Sequence, residues 1–120
     1  MARIIIVEEE QELLRLFILM VKALCPPLTE ILGVTNGQAA IEAYEQVKPD
    51  LIISDYKMPV MDGSKLTRTL RSRGVTIPIV LTSGNPFVSS QAYEAGATLF
   101  VEKTRLMRTL PEIMEYLLPK

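Results

Sequence analysis

The chain has 120 residues, with 13 lysines and arginines against 14 aspartates and glutamates, and its formal net charge is -1. That length suits one domain with a buried core, and the charge balance lacks the basic excess that binding to a nucleic-acid backbone requires. One cysteine and no histidine exclude an internal disulfide, a metal site built from cysteine and histidine, and histidine acid–base chemistry.

No segment of the sequence is typical of export or of a membrane span. The N-terminal apolar run turns directly into Glu8 and Glu9, and the apolar stretch over residues 13–25 is interrupted by Arg15 and Lys22. A membrane helix needs about 20 apolar residues, and a secretory signal needs a basic start. We therefore predict a cytoplasmic protein with no membrane partner and no direct nucleic-acid partner.

Five short apolar runs predict the strands. They show no alternation of apolar and polar residues, which is typical of parallel strands covered on both faces. The runs occupy residues 4–7, 31–34, 51–53, 77–81 and 99–101, and the second of them is the weakest.

Amphipathic segments between these runs predict helices. The first helix stops before Pro26 and Pro27, the second covers residues 37–47, and the third follows Asp62 and ends at Gly74. The predicted inward stripe of the first helix consists of Leu13, Leu16, Phe17, Met20, Val21 and Leu24.

The last two helices are placed by their boundary residues. The fourth follows Pro86 and ends at Gly96. The fifth is predicted to begin near Thr109, because Thr109 and Glu112 have the spacing of a capping box and Pro111 is tolerated in a first turn.

The alternation of five strands and five helices predicts a doubly wound α/β fold with a parallel sheet and right-handed crossovers. The pattern runs through the chain without a linker, so we predict a single domain over residues 1–120 and no effector domain. Ligands of such open sheets bind beyond the carboxyl ends of the strands. The candidate site residues are therefore those that directly follow the apolar runs.

Acidic, hydroxyl and amine groups follow four of the predicted strands. They are Glu8, Glu9 and Glu10 after the first, Asp55 after the third, Thr82 and Ser83 after the fourth, and Lys103 after the fifth. Clustered carboxylates repel one another and need a proton or a cation. Mg²⁺ fits best, because the donors are oxygens and this ion takes one or two carboxylates together with water and phosphate oxygens.

This set of groups suits phosphoryl transfer to a carboxylate. Asp55 can attack a phosphoryl group and form an aspartyl phosphate. Ser83 can donate a hydrogen bond to a phosphoryl oxygen, and Lys103 can supply a mobile positive charge. We interpret Glu10 as an acid favoured at a helix start and Thr82 as a strand residue rather than a phosphate ligand.

These residues and their order resemble the receiver domains of two-component response regulators, the CheY-like family, over the whole chain. The segment from Asp55 to Gly63, with Met58-Pro59 and Met61-Asp62 inside it, is the most specific motif. The other matching positions are Glu8-Glu9 after the first strand, Asn36-Gly37, Pro49-Asp50, Pro78 to Ser83-Gly84, Ala95-Gly96-Ala97 and Lys103. The resemblance implies a five-stranded sheet of strand order 2-1-3-4-5.

The resemblance also implies a phosphoacceptor rather than an enzyme. Asp55 would accept a phosphoryl group from a histidine kinase or a histidine phosphotransfer protein, with at most self-catalysed transfer and dephosphorylation. Mg²⁺ would be held by Glu8, Glu9, Asp55 and the main-chain carbonyl of Lys57.

A conformational switch is the output that the resemblance implies. Ser83 would move toward the phosphoryl group and Phe100 would turn inward, which changes the face made by the fourth helix, the fifth strand and the fifth helix. That face would regulate a downstream effector protein. We predict a monomer or a weak homodimer.

Two departures from the family pattern leave an alternative open. Glu8 and Glu9 stand where the family has two aspartates or a Glu followed by Asp, and the extra methylene of Glu9 is expected to weaken or alter Mg²⁺ binding. Thr104 follows Lys103 where the family has proline, which changes the segment that holds Lys103. The alternative is a pseudo-receiver, an interaction module that no longer takes phosphate.

Overall fold

Five parallel strands form the central sheet of the computed structural model, which describes residues 1–119. The strands are β1 (Arg3–Val7), β2 (Glu30–Val34), β3 (Leu51–Asp55), β4 (Ile79–Ser83) and β5 (Leu99–Glu102). Their order is β2-β1-β3-β4-β5, and every neighbouring pair is parallel. The predicted doubly wound fold and its strand order are confirmed.

Five helices accompany the sheet within residues 1–119. They are α1 (Gln11–Leu24), α2 (Gly37–Val47), α3 (Gly63–Ser72), α4 (Ser89–Ala95), which a 3-10 turn at Pro86–Val88 precedes, and α5 (Lys103–Leu117). Helix α2 begins where predicted, because the Asn36 side chain accepts a hydrogen bond from the Ala39 N–H at 2.8 Å and caps its first turn. None of the described helices is long and apolar enough to cross a membrane.

The two faces of the sheet carry separate hydrophobic cores. Side chains alternate along a strand. Ile53 of β3 and Val80 of β4 therefore belong to the core that α1 and α5 cover, whereas Ile52 and Leu81 belong to the core under α2, α3 and α4. Burial on both faces explains why these strands read as continuous apolar runs.

The buried row of α1 differs in part from the predicted stripe. Leu14, Phe17 and Val21 are the buried residues, whereas Leu16 and Leu24 are 50% and 42% exposed. The spacing from Leu14 to Phe17 and Val21 keeps one side of the helix on the sheet. The prediction was wrong at Leu16 and Leu24 because apolar residues occur nearly all around this helix.

Helix α5 begins at Lys103 and not near Thr109. Thr109 lies inside the helix, where its Oγ1 donates to the Arg105 carbonyl at 2.8 Å, so the capping-box interpretation was wrong. Leu106 is fully buried in the core between the sheet, α1 and α5. This packing stabilises the helical turn before Thr109, so the helix begins directly after β5. Thr104 permits this start, whereas a proline there would disfavour the helical conformation of Lys103.

Pro111 consequently lies inside α5 rather than in its first turn. Proline lacks an N–H and its ring crowds the preceding turn, so both effects weaken the helix. Replacing the exposed Pro111 by alanine is expected to raise the free energy of unfolding by about 1–2 kcal/mol, since greater freedom of the unfolded chain offsets part of the gain. Urea unfolding followed by circular dichroism measures the change. Pro119→Ala, outside the helix, is the control, and a lower midpoint for Pro111→Ala would contradict the expectation.

Candidate functional site

A cleft of about 670 Å³ lies at the carboxyl ends of the strands. Six predicted site residues line it, namely Glu8, Glu9, Asp55, Lys57, Ser83 and Lys103. They come together because parallel strands end at the same edge of the sheet. The predicted convergence of acidic, hydroxyl and amine groups at this edge is therefore present in the structure.

The ammonium group of Lys103 joins two buried carboxylates of the cleft. Asp55, the last residue of β3, is 8% exposed, and Glu8, directly after β1, is 3% exposed. The Nζ atom of Lys103 lies 3.0 Å from Oδ2 of Asp55 and 3.3 Å from Oε1 of Glu8. A cation of the protein itself thus offsets the repulsion between the carboxylates.

The environment of this cluster shifts two pKa values upward. Burial raises the pKa of Asp55, and the opposing hydrogen bond and charge of Lys103 offset only part of that effect. Burial of Lys103 lowers its pKa, but the hydrogen bonds and charges of Asp55 and Glu8 outweigh it, so the pKa of Lys103 is raised. Lys103 is therefore held in its cationic form.

The loop between β3 and α3 holds Asp55 through main-chain hydrogen bonds. The Tyr56 N–H donates to the Thr82 carbonyl at 2.8 Å, and the Gly63 N–H donates to the Tyr56 carbonyl at 2.7 Å. A Cβ atom at Gly63 would lie 2.8 Å from the Asp55 carbonyl oxygen. Glycine at the start of α3 therefore allows the loop to close directly behind Asp55.

Both carboxylate oxygens of Glu8 already have partners. Oε1 faces Lys103, and Oε2 accepts a hydrogen bond from the Glu10 N–H at 3.1 Å. The neighbouring Glu9 is exposed at the rim of the same cleft. The two glutamates of the predicted metal pair thus occupy different environments, and only Glu8 is built into the ion-pair cluster.

The cleft offers oxygen donors of the type that Mg²⁺ prefers, but its acidic side chains do not form a preassembled metal-binding cluster. Within the described part of the chain, no group of three or more histidine, cysteine, aspartate or glutamate side chains could hold a metal ion. Because Mg²⁺ takes only one or two carboxylates and keeps several waters, three acids are not required. Glu9, Asp55 and Lys57 line the cleft, and their carboxylate and main-chain oxygens are the type of donor that Mg²⁺ prefers.

Ser83 and Thr82 are consecutive residues of β4 with different positions. Ser83 is buried at the cleft, where its Oγ accepts a hydrogen bond from the Asn85 N–H at 3.1 Å. Thr82 is 2% exposed and pairs with the strands on either side. The interpretation of Thr82 as a strand residue is confirmed.

Phe100 lies outside the Asp55 cleft, half-buried on β5 against the core under α2, α3 and α4. Its main-chain N–H donates to the hydroxyl of Tyr93 on α4 at 3.0 Å. Tyr93 was not predicted from the sequence, because an exposed tyrosine on a short helix shows no pattern that identifies its hydroxyl as an acceptor. This hydrogen bond connects α4 to β5 beside the predicted switch residue.

Comparison with family models matches residues 4–115 to the response regulator receiver domain. The chain belongs to this family. A protein-glutamate methylesterase/protein-glutamine glutaminase of Nocardioides sp. (strain ATCC BAA-499 / JS614) is 33% identical to this receiver domain over 103 residues, which cover 78% of this chain and 28% of that protein. A two-component response regulator of Oryza sativa subsp. japonica is 40% identical over 72 residues, 57% of each chain.

Solved structures show the same fold as this receiver domain. The Vibrio cholerae chemotaxis protein CheY4 has a TM-score of 0.84 and 21% sequence identity, with 98% of both chains covered. A DNA-binding response regulator of the LuxR family from Staphylococcus aureus has a TM-score of 0.86 and 24% identity, also with 98% of both chains covered. The CheY-like fold expected from the sequence is confirmed.

The methylesterase relatives are much longer than this receiver domain. The chain matches 28%, 22% and 19% of the length of three of them. The shared part is the receiver domain, so their methylesterase and glutaminase activities are not attributed to this chain.

Proposed function

We propose that this receiver domain is a phosphorylation-dependent signalling switch that accepts a phosphoryl group on Asp55 from a histidine kinase or a histidine phosphotransfer protein, with Mg²⁺. The observation that carries the proposal is the buried Asp55 carboxylate with the Lys103 ammonium 3.0 Å away at the carboxyl edge of the sheet. A sheet core has no structural need for such a pair, and membership of the receiver family supports the same role.

The residues of the cleft suit an in-line transfer. An Asp55 oxygen would attack the phosphorus atom, so that a new O–P bond forms while the P–N bond of a phosphohistidine or the P–O bond of acetyl phosphate breaks. The leaving group keeps the electron pair, and an imidazole leaving group takes its proton from solvent. The Ser83 hydroxyl would donate to a phosphoryl oxygen, and the Lys103 ammonium would offset the negative charge.

Mg²⁺, when bound, would neutralise charge on the phosphoryl oxygens. Glu9, Asp55 and the main-chain carbonyl of Lys57 would hold it. Glu8 is also predicted to belong to the metal site, but its oxygens contact Lys103 and the Glu10 N–H, so it would first have to release one of them.

The output surface is proposed at the groove between α4, β5 and α5. Phe100 and Arg105 line this groove. The β4–β5 register pairs Ser83 with Glu102 and Leu81 with Phe100, so Ser83 and Phe100 lie on neighbouring strands two residues apart in register. A shift of Ser83 toward a phosphoryl group is proposed to reach Phe100 through this pairing of β4 and β5. A downstream effector protein is the proposed partner, and the cytoplasm is the proposed location.

The test treats the protein with acetyl phosphate, and separately with beryllofluoride, in the presence and absence of Mg²⁺. We expect a mass gain of one phosphoryl group with acetyl phosphate, and NMR shifts around Asp55 with either reagent, all dependent on Mg²⁺. No response at any Mg²⁺ concentration would overturn the proposal. That outcome would favour the pseudo-receiver alternative, which the comparisons do not support.

Replacing Glu9 by aspartate is expected to lower the Mg²⁺ concentration that gives half-maximal labelling by about threefold or more. The shorter side chain removes one rotatable bond from a ligand of an ion that demands near-ideal octahedral geometry. A Mg²⁺ titration of acetyl phosphate labelling measures the effect. Glu10→Asp removes the same methylene from the next acid and should leave the titration unchanged. An unchanged titration for Glu9→Asp would refute the geometric explanation.

A further inference from the structure

The outer face of α1 carries apolar side chains that lie outside both hydrophobic cores. Leu16 and Leu19 are 50% and 65% exposed, and Ala23 is exposed one turn after Leu19. Together with Glu12 these residues form the outer row of α1, because they are spaced alternately four and three residues apart along the helix. The outer row lies opposite the buried row that packs on the sheet.

The spacing of the outer row is that of a contact between two helices. Single exposed leucines are normal on protein surfaces and need no partner. A row with alternating spacings of three and four residues, however, is the pattern by which two helices pack side by side. Because the buried row of α1 already binds the sheet, the outer row is a second contact surface on the same helix.

The outer row is complementary to itself when two copies of α1 run in opposite directions. A two-fold axis midway between Leu16 and Leu19 places Leu16 of each copy against Leu19 of the other. The same axis places Glu12 of each copy against Ala23 of the other, so a long side chain meets a small one at both ends. Both copies use the same surface, as a two-fold dimer requires.

The charges of α1 favour the same antiparallel arrangement. The helix carries Glu12 in its first turn and Lys22 in its last turn. Antiparallel helices bring Glu12 of each copy beside Lys22 of the other, whereas parallel helices would place Lys22 beside Lys22. None of the ion pairs within residues 1–119 includes Glu12 or Lys22, so both charges are available to a second copy.

We propose that the outer row of α1 is the interface of a weak antiparallel homodimer, in which Leu16 packs against Leu19 and Glu12 pairs with Lys22 of the second copy. This surface is distinct from the groove between α4, β5 and α5, which no residue of the outer row lines. A contact along one helix of 14 residues is about 21 Å long. It buries less than the about 1,200 Å² of a stable interface, so we expect a dissociation constant of about 0.1–1 mM.

Sedimentation equilibrium over a range of protein concentrations up to about 1 mM, in the range of weak interfaces, tests the surface. Leu19→Lys is expected to weaken association at least tenfold, because the two-fold axis introduces the charge twice. Phe87→Lys is the matched control, since Phe87 is 85% exposed on the turn before α4 and away from α1. The urea midpoint of Leu19→Lys should equal that of wild type, because the position is exposed. A monomeric wild type at every concentration, or a loss of association in Phe87→Lys that Leu19→Lys does not show, would overturn the inference.

A charge reversal tests the direction of the helices. Glu12→Lys is expected to weaken association about tenfold, because two attractive pairs become repulsive. Adding Lys22→Glu to that variant should restore association, although both changes oppose the helix dipole and lower the stability of α1. Glu12 and Lys22 are about 15 Å apart along one helix and cannot meet within one chain, so restoration reports a contact between copies. A double variant as weak as Glu12→Lys alone would overturn the antiparallel dimer, while the proposed function of Asp55 stands.

Discussion

Asp55→Asn is expected to abolish phosphoryl uptake while the fold persists. The substitution replaces one carboxylate oxygen by an amide NH₂ group, which is not nucleophilic. The remaining amide oxygen is a far weaker nucleophile than a carboxylate oxygen. The measurement is the mass of the protein after treatment with acetyl phosphate and Mg²⁺, with wild type alongside. Persistent labelling of Asp55→Asn would show that another residue is the acceptor.

The stability of the Asp55→Asn variant tests the environment of the Asp55 carboxylate. Burial raises the pKa of Asp55 despite Lys103, so the ionised carboxylate is held in an unfavourable environment. A neutral asparagine should therefore leave the urea midpoint unchanged or raise it. The matched control is Asp50→Asn, because Asp50 accepts a hydrogen bond from the Arg3 N–H away from the cleft. That control should retain full labelling, and a loss of labelling there would point to a non-specific effect of the substitution.

Arg71→Ala is expected to produce a large loss of stability, about 3–4 kcal/mol in the free energy of unfolding. The half-buried Arg71 guanidinium donates to the carbonyls of Gly96 at 2.9 Å, Val75 at 3.0 Å and Ile77 at 2.7 Å, and to the Thr98 hydroxyl at 3.3 Å. It thereby ties the end of α3 to the segment before β4 and to the α4–β5 loop. Its removal leaves several carbonyls without their donor and removes the packing of the arginine stem.

Arg73→Ala is the matched control, since it removes an arginine two residues further along the chain. Arg73 makes an exposed ion pair with Glu45 at 3.6 Å, and such pairs contribute at most about 1 kcal/mol. Arg71→Lys should fall between wild type and Arg71→Ala, because an ammonium cannot reproduce the forked geometry of the guanidinium. Urea unfolding of the four proteins decides the matter, and equal losses for the two alanine variants would contradict the role given to Arg71.

Local patterns in the sequence were sufficient for the α/β class and for the alternation of strands and helices along the chain, whereas the strand order came from the resemblance to the receiver family. Strands buried on both faces need aliphatic residues at every position, so the run that includes Ile52 and Ile53 could be assigned without knowledge of its neighbours. The cap at Asn36 is an interaction within four residues, and α2 was correctly placed for that reason. The convergence of Asp55 and Lys103 followed from the rule that parallel strands end at one edge.

Other features depended on contacts between distant segments. The start of α5 was misplaced because the burial of Leu106 against the sheet outweighs the local capping signal at Thr109. Two partners of Arg71, Gly96 and Thr98, lie 25 and 27 residues away in sequence, and no residue near Arg71 identifies them.

The sequence by itself determined the class of fold, the order of the elements and the edge that carries the acidic and basic groups, because these follow from the periodicity of the side chains along each segment. Only the tertiary structure decided that Glu8 pairs with Lys103 while Glu9 is exposed, and that Thr82 lies beside Asp55 in the sheet. These outcomes depend on the register between strands and on the approach of α5. Both are set by packing free energies summed over the whole core, which no short stretch of sequence contains.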